Sequence, residues 1–216
     1  MAKAIEAAIP AAGRSEGPSR DVLLAAASDL MIELGTPEVS LHAIARKAGV
    51  TAPLVKYYFG SKEGLLVALV ERDTARSLAQ LEGLNAMALD PLAKLKIHIA
   101  GIVRTYSRYP YLVGLLNHLL RETRNEASER IKASFVTPLI DAQRRIIEEG
   151  VAAGQLRPID PDQLYFIIVG ACQYLFSSRV AFADIMGGKF ADPAFARDFP
   201  NAVLDVILNG LRAERR

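Results

Sequence analysis

Residues 40–62, SLHAIARKAGVTAPLVKYYFGSK, constrain the fold of this chain most, because they contain two short helical patterns with a glycine between them. Ser40 precedes apolar residues at helical spacing and is the predicted N-cap of the first helix. Gly49 falls where helices commonly end in a left-handed residue, and Thr51 is the predicted cap of the second helix. Pro53 suits a first helical turn, whose N–H groups lack intrahelical partners. The spacing therefore predicts a helix-turn-helix.

The second predicted helix has two different faces. At about 100° per residue, Val55 and Phe59 point to one side, whereas Pro53, Lys56 and Tyr57 point to the other. We expect the first pair to pack against the core and the other three residues to face a partner.

The charge of this segment is one-sided. Residues 40–62 contain four cations and no acid, in a chain whose formal net charge is only +2: Arg46, Lys47, Lys56 and Lys62. A basic helix-turn-helix of this size fits the major groove of B-DNA, with its second helix at the base edges. The pattern predicts double-stranded DNA as the partner.

The N-terminal motifs resemble the signature of the tetracycline-repressor (TetR) family of bacterial one-component transcriptional regulators. The matching elements are a first helix ending at Gly35, Ser40, Ile44-Ala45, Ala48-Gly49-Val50, Tyr57-Tyr58-Phe59 and Lys62. The resemblance covers residues 19–73 by motif and the whole chain by length and helical pattern. It implies a homodimer that binds a palindromic operator, most commonly as a repressor, and that a small-molecule effector releases from DNA.

The resemblance also implies which residues contact DNA. By position in the signature they are Ser40, Thr51, Ala52, Pro53, Leu54, Lys56, Tyr57, Tyr58 and Lys62. Lys56 replaces a tyrosine that usually contacts phosphate in the family, and a lysine can do so as a point charge. The helix tip Ala-Pro-Leu has no amide or guanidinium for pairing with a base. Sequence reading would then depend on Thr51, Lys56, Tyr57, contacts with thymine methyl groups and DNA shape.

The rest of the chain shows helical periodicity without sustained β-like alternation, so the expected fold class is all-α, with about nine helices. We expect a disordered tail at residues 1–18, a helix-turn-helix domain at 19–64 and a helical effector-binding and dimerisation body at 65–216. Ser61 is the expected cap of a long fourth helix, and Asp90-Pro91 and Asp160-Pro161 are expected to start later ones. Pro138 predicts a kink or local break in a helix over 125–153.

Residues 164–172, LYFIIVGAC, are apolar on every face of a helix, which predicts burial on two sides. Gln163 and Gln173 flank this run and leave it well short of the roughly 20 residues that cross a bilayer. Packing against the chain's own body and a second subunit explains the pattern better. The family resemblance implies the same homodimer, formed by helices at 162–185 and 200–211.

The family resemblance places an effector pocket among the central helices. Aromatic walls with a few polar groups are typical of small-molecule sites. The candidate residues are Arg104, Tyr106, Tyr109, Tyr111, His118, Arg121, Phe135, Tyr165, Phe166, Cys172 and Tyr174. Ordinary core packing is the alternative for each, and His118 on a leucine-rich helix is more typical of a core histidine. Arg104 and Arg121 would receive an anionic effector or lie solvated at the surface.

Other functional classes lack the necessary residues. The chain has three histidines, no Glu-x-x-His pair and the single cysteine Cys172, so neither a helical-bundle enzyme nor a metal carrier is indicated, and we expect no cofactor or metal site. A lone cysteine excludes an internal disulfide and favours a reduced, cytoplasmic setting. Residues 1–18 lack the continuous apolar core of a signal peptide. A helical ligand-binding or adaptor protein without DNA activity stays open because the recognition tip is non-polar.

Leu54→Ala tests the proposed reading of thymine methyl groups. We expect this variant to relax discrimination at a thymine-bearing position, because alanine removes the apolar contact that distinguishes thymine. Selection of binding sites from a random DNA pool measures the effect. Unchanged specificity of the variant would contradict the hypothesis.

Overall fold

The protein is built from α-helices. The computed structural model describes residues 20–121, 125–178, 184–185, 188 and 193–211, and in this part of the chain no β-strand occurs. The helices are α1 Arg20–Leu34, α2 Leu41–Lys47, α3 Ala52–Phe59, α4 Lys62–Ala86, α5 Pro91–Arg108, α6 Leu112–Leu120, α7 Glu126–Ile131, α8 Thr137–Ala152, α9 Pro161–Ser178 and α10 Pro193–Leu211. The all-α prediction is confirmed. The predicted tail at 1–18 and the Cys172 side chain lie outside the described part.

Helices α1, α2 and α3 form the helix-turn-helix head. The Ser40 hydroxyl oxygen accepts a hydrogen bond from the Ala43 N–H at 3.1 Å, which confirms the predicted cap of α2. Gly49 has φ 69°, so the turn before α3 requires the left-handed conformation that glycine adopts without steric cost. The helices pack around fully buried Met31, Ile44 and Val55. The local sequence rules thus explain the geometry of the turn.

Thr51 is the N-cap residue of α3, as predicted, although its side chain makes no capping hydrogen bond. A capping oxygen accepts from the N–H of the second or third helical residue. Here the second residue is Pro53, which has no N–H, and the Leu54 N–H donates to the Thr51 carbonyl oxygen at 3.1 Å. The exposed Thr51 hydroxyl is therefore not used in capping the helix.

Helix α4 connects the head to the rest of the molecule without a break. Its cap is Ser61, whose hydroxyl oxygen accepts from the Gly64 N–H at 3.0 Å, as predicted. The helix packs against α1 and α3 of the head and against α5, α6, α7 and α8, which we call the body together with α9 and α10. The domain boundary expected between residues 64 and 65 falls inside α4, so the head and the body share this helix.

Helices α7 and α8 form one continuous helix through a π-helical segment, Lys132–Val136, which makes nine helices in all within the described residues. Pro138 lies in the first turn of α8, directly after this segment. A proline removes one backbone N–H and its ring crowds the carbonyl four residues earlier. The wider π turn at this point is consistent with both effects. The predicted local break does not occur, because the helix continues through the π segment, which is a common place for a kink.

The last two helices differ from their predicted limits. Helix α9 begins at Pro161 as expected, and the Asp162 N–H donates to the Asp160 carboxylate at 2.9 Å. Ile185, the predicted end of α9, lies in a turn. Helix α10 begins at Pro193 rather than Pro200, because a proline at either position suits a first turn and the sequence does not distinguish them.

A buried polar chain joins the head to the body. The Tyr111 hydroxyl, at the start of α6, donates to the Asp73 carboxylate of α4 at 2.5 Å and lies 2.7 Å from the Ser28 hydroxyl of α1. Because the tyrosine hydrogen points to Asp73, Ser28 donates to Tyr111. Arg72 forms an ion pair with Asp73 at 2.6 Å. Burial raises the pKa of both Tyr111 and Asp73, and Asp73 raises that of Tyr111 further.

Tyr111→Phe tests how much this chain of hydrogen bonds stabilises the head–body contact. We expect a loss of about 1–3 kcal/mol in the free energy of unfolding, because the Asp73 carboxylate and the Ser28 hydroxyl each lose a buried partner. Urea unfolding followed by circular dichroism measures the change. Tyr109→Phe is the matched control, since the Tyr109 ring packs edge-on against Tyr111 but its hydroxyl makes no hydrogen bond to a described residue. Equal losses for the two variants would contradict the expectation.

Candidate DNA-binding face and body cavity

The exposed side of α3 is the candidate DNA-binding face. Val55 is fully buried and Phe59 packs against the core, whereas Pro53, Lys56 and Tyr57 are exposed, Tyr57 by 82%. This division confirms the two faces predicted from the sequence. The remaining sequence-predicted contact residues are exposed or half-buried around the same helix: Ser40, Thr51, Ala52, Leu54, Tyr58 and Lys62.

The end of α3 is held by aromatic contacts and a glycine. The Arg20 guanidinium carbon lies 5.2 Å from the centre of the Phe59 ring, which ties the end of α3 to the start of α1. The Tyr57 and Tyr58 rings meet edge to face at 5.6 Å. Gly60 follows with φ 73°, and α4 then begins directly after the exit of the recognition helix. Tyr57 and Tyr58 therefore lie on a helix whose C-terminal end is packed against α1.

Three of the four predicted cations are available to a ligand. Lys47 forms an ion pair with Glu33 of α1 at 2.6 Å. Arg46, Lys56 and Lys62 make no ion pair with any described residue. Sequence reasoning missed the pairing of Lys47, because Glu33 lies 14 residues earlier and only the packing of α1 on α2 brings them together. The face therefore has a positive charge suited to phosphates.

A cavity of about 390 Å³ lies in the body between α4 and α5. Three sequence-predicted pocket residues line it, namely Arg104, Tyr106 and Phe135. The other lining residues, mostly apolar, are Ser77, Leu78, Gln80, Leu81, Gly83, Leu84, Met87, Ile97, His98, Gly101, Ile102, Thr105, Leu112 and Leu139. An apolar cavity of this size with a few polar groups can hold a small organic molecule.

His98 is a buried polar residue of the cavity wall, 5% exposed. Its Nε2 lies 3.2 Å from the amide oxygen of Gln143, and the Gln143 amide nitrogen donates to the Pro161 carbonyl at 2.8 Å. Burial lowers the pKa of His98 to about 4, an effect that the Gln143 contact only partly offsets. The imidazole is therefore neutral at physiological pH.

Two hydroxyls form the second polar group of the wall. The Thr105 hydroxyl donates to the Gly101 carbonyl at 2.9 Å, and the Ser77 hydroxyl lies 2.7 Å from the Thr105 oxygen. Since the only hydroxyl hydrogen of Thr105 is used in the helix, Ser77 is the donor in their contact. The pair bridges α4 and α5 at the cavity wall.

Seven other predicted pocket residues do not line this cavity, and the Cys172 side chain lies outside the described part of the chain. Tyr111 lies at the head–body junction and Tyr109 packs beside it. Tyr165 is buried in the core, and burial raises its pKa. Phe166 and Tyr174 are exposed on α9, and Arg121 is exposed after α6.

The expected core histidine was assigned to the wrong residue. His118 is exposed, whereas His98 is buried. Both lie among apolar residues at helical spacing, so the type of neighbour does not separate them. The register of α5 does contain the signal, because His98 shares one face with buried Leu95 and Ile102. Ser77 and Thr105 gave no comparable signal in the sequence.

Helices α9 and α10 both expose large apolar side chains in the single chain. Phe166, Ile167 and Tyr174 lie on one stripe of α9 and are exposed by 71%, 52% and 65%, and Val206 of α10 is exposed by 72%. Gly170 lies on the same stripe of α9, and a Cβ atom added there would meet no atom within 4 Å. Exposed apolar surface of this kind is typical of a protein–protein contact.

Two other kinds of site are absent from the described residues. No described helix is both long and apolar enough to cross a membrane. The same residues contain no group of three or more His, Cys, Asp or Glu side chains that could bind a metal ion.

The head and body define a helix-turn-helix transcriptional regulator, and comparison with known proteins specifies its family. The family model described as "Bacterial regulatory proteins, tetR family" matches residues 23–69. The model described as "Tetracyclin repressor-like, C-terminal domain" matches residues 88–216. The chain belongs to the tetracycline-repressor family. The resemblance inferred from the sequence motifs is thereby confirmed, and the family is one of transcriptional regulators.

Several individual proteins are similar along nearly the whole chain. The transcriptional regulator RutR of Escherichia coli strain K12 is 28% identical over 199 residues, which cover 92% of this chain and 93% of RutR. The transcriptional repressor NicS of Pseudomonas putida is 29% identical, covering 90% and 92% of the two chains. The structure of FadR from Bacillus subtilis in complex with stearoyl-CoA has a TM-score of 0.65 at 19% identity, covers 89% of this chain and 99% of that one, and shares the fold.

Lys56→Gln tests whether the recognition helix contacts phosphate through this lysine. We expect weaker binding to duplex DNA and a slope of log affinity against log salt that is shallower by about 1, because one fewer counterion is released. Fluorescence anisotropy at several salt concentrations measures the slope. Lys96→Gln makes the same charge change at an exposed site on α5 and should leave it unaltered. The same slope for Lys56→Gln and the wild type would contradict the contact.

Proposed function

We propose that this protein is an effector-responsive transcriptional repressor that binds a palindromic operator as a homodimer. The observation that carries the proposal is the continuity of α4, which begins beside the recognition helix and continues as a wall of the cavity. A molecule in the cavity therefore contacts the helix on which the head is mounted. Repression, rather than activation, is supported by similarity to NicS, which is named as a repressor.

The exposed face of α3 is the proposed base-reading surface. Ala52, Pro53, Leu54 and Tyr57 approach the base edges from the N-terminal half and outer side of α3, where apolar contacts favour thymine. Phosphate contacts come from the residues around it: Ser40, Thr51, Lys56, Tyr58 and Lys62. The Thr51 hydroxyl, which makes no capping bond, suits this role. Residues 19–64 thus act as the DNA-binding unit, although α4 continues beyond them.

The exposed apolar stripe on α9 and α10 is the proposed dimer interface. Phe166, Ile167 and Tyr174 of α9 and Val206 of α10 would meet the same residues of a second copy across a two-fold axis. Gly170 leaves room for the two α9 helices to approach closely. Two heads related by a two-fold axis explain a palindromic operator whose half-sites are one helical turn or more apart.

Release from DNA is a shift between two arrangements of the heads. An occupied cavity favours the arrangement in which α4 and α5 lie further apart. Because α4 is continuous, its displacement also moves the head. The effector lowers operator affinity only as far as it binds one arrangement more tightly than the other. The Ser28–Tyr111–Asp73 chain keeps α1 and α4 moving together. DNA binding of this kind takes place in the bacterial cytoplasm.

Selection of duplex DNA from a random pool by the purified protein, followed by sequencing, tests the proposed function. We expect a palindrome, because a two-fold symmetric dimer presents the same reading face twice. Sequence-independent retention, or none, would contradict the proposal and favour a helical ligand-binding or adaptor protein.

A dimer variant links the palindrome to the α9–α10 stripe. Ile167→Glu places a charge in the proposed interface and should give monomers in sedimentation velocity and weaker operator binding by at least tenfold. Leu89→Glu is the control, since it introduces the same charge at another exposed apolar residue, in the loop between α4 and α5. Dimers that persist in the Ile167→Glu variant would show that the interface lies elsewhere.

A further inference from the structure

The hydrogen bonds around the cavity determine what kind of polar group an occupant needs. Gln143 lies in α8 behind the cavity wall and is fully buried. Its amide nitrogen donates to the Pro161 carbonyl, so its amide oxygen is the atom that faces His98 Nε2. An amide oxygen only accepts hydrogen bonds, which means that His98 Nε2 carries the hydrogen. The packing of α8 on α9 thus selects one tautomer of His98.

In this tautomer, His98 Nδ1 has a lone pair and no hydrogen. Burial keeps the imidazole neutral, since its pKa is lowered to about 4. Nδ1 makes no hydrogen bond to a described residue, while the side chain is 5% exposed and lines the cavity. The polar atom of His98 that remains for an occupant is therefore an acceptor. The described side-chain atoms that are buried without a partner are Asn85 Oδ1 and Ser128 Oγ, so His98 Nδ1 keeps some accessible surface, where a donor on a ligand can bind.

The second polar group of the wall also presents an acceptor. The Thr105 hydrogen is bonded to the Gly101 carbonyl and the Ser77 hydrogen to the Thr105 oxygen, so the Ser77 oxygen keeps its lone pairs. His98 and Thr105 are seven residues apart on one face of α5, which corresponds to about 10 Å along the helix. The two acceptors thus stand apart on the wall and can be tested separately.

Charge on the described cavity wall is confined to its edge. Among the described residues, Arg104 is the only charged one that lines the cavity, and its side chain is exposed. No described aspartate or glutamate lines the cavity, so a cationic ligand would have no counter-charge there. An anionic group placed against His98 would face a lone pair, which repels it. The inner wall therefore favours an uncharged ligand.

We propose that the effector is an uncharged, largely apolar molecule with one hydroxyl or N–H group, which donates a hydrogen bond to His98 Nδ1. This inference rests on the proposed function and specifies the chemical class that the cavity accepts. Apolar surface of the ligand contacts Leu81, Ile102 and Phe135, and the single donor sets its orientation. An anionic effector bound through Arg104 is the competing class, and the test below separates the two.

Three probes that share one apolar body and differ in the head group test the proposal. They are para-pentylphenol, a neutral donor; para-pentylanisole, neutral without a donor; and para-pentylbenzoate, an anion. Isothermal titration calorimetry on the full chain at neutral pH, without DNA, measures their affinities. We expect the phenol to bind about fivefold more tightly than the anisole, the ratio that one net hydrogen bond supplies, and the benzoate most weakly. Equal affinities for phenol and anisole, or tightest binding of the benzoate, would overturn the proposal.

Three variants locate the binding. Gly101→Leu should abolish binding of all probes, because a Cβ at Gly101 meets no atom within 4 Å and the added side chain would fill the cavity. His98→Phe should bind phenol and anisole equally. Ser77→Ala removes the other acceptor and should keep the fivefold ratio. Probe binding that persists in Gly101→Leu, or a ratio lost in Ser77→Ala and kept in His98→Phe, would contradict the assignment to His98.

The tautomer is measured on the wild-type protein, so the test does not depend on whether His98→Phe folds. Long-range nitrogen–proton correlation spectra distinguish a protonated ring nitrogen from one with a lone pair. The chain has only three histidines, of which His42 and His118 are exposed. We expect His98 to carry its hydrogen on Nε2. We also expect the nitrogen chemical shift of Nδ1 to change when the phenol binds. A hydrogen on Nδ1 would overturn the inference, whereas the DNA selection tests the proposed function independently.

Discussion

The contact on which the rest of the structure depends is the attachment of α4 to both the head and the body. Helix α4 begins at the exit of the recognition helix and ends in the wall of the cavity. The buried Tyr111–Asp73 hydrogen bond, extended to Ser28 of α1, fixes the head to this helix where a purely apolar contact would allow sliding. Without that attachment, an occupied cavity and a DNA-binding face would be two unrelated features of one chain.

The exposed face of α3 and the exposed apolar residues of α9 both follow from helical periodicity, which turns some residues of a helix to the core and others to solvent. Val55 anchors α3 in the core, and this burial presents Lys56 and Tyr57 outward. On α9, Leu164 and Ile168 pack inward, and the same helical period leaves Phe166, Ile167 and Tyr174 exposed. Membership of the family accounts for the exposed face of α3 as a DNA-binding surface.

Local rules predicted much of the fold because caps, glycine turns and proline positions depend on neighbouring residues. The caps at Ser40, Ser61 and Asp90 and the distortion before Pro138 are all of this kind. Thr51 failed as a capping side chain because Pro53 removes the N–H that a capping oxygen needs. Of the predicted pocket residues whose side chains the structure describes, only Arg104, Tyr106 and Phe135 line the cavity, because aromatic composition does not reveal which face of each helix turns inward.

The sequence by itself determined the helix-turn-helix, its basic charge and the all-α class, since each of these depends on residues that are close together along the chain. Tertiary structure alone decided that Lys47 is paired with Glu33, that Tyr111 belongs to the head–body junction and that His98 rather than His118 is buried. It also decided the hydrogen-bonding character of the cavity. The tautomer of His98 depends on Gln143 and Pro161, 45 and more residues away, and packing of α5, α8 and α9 is what brings them together.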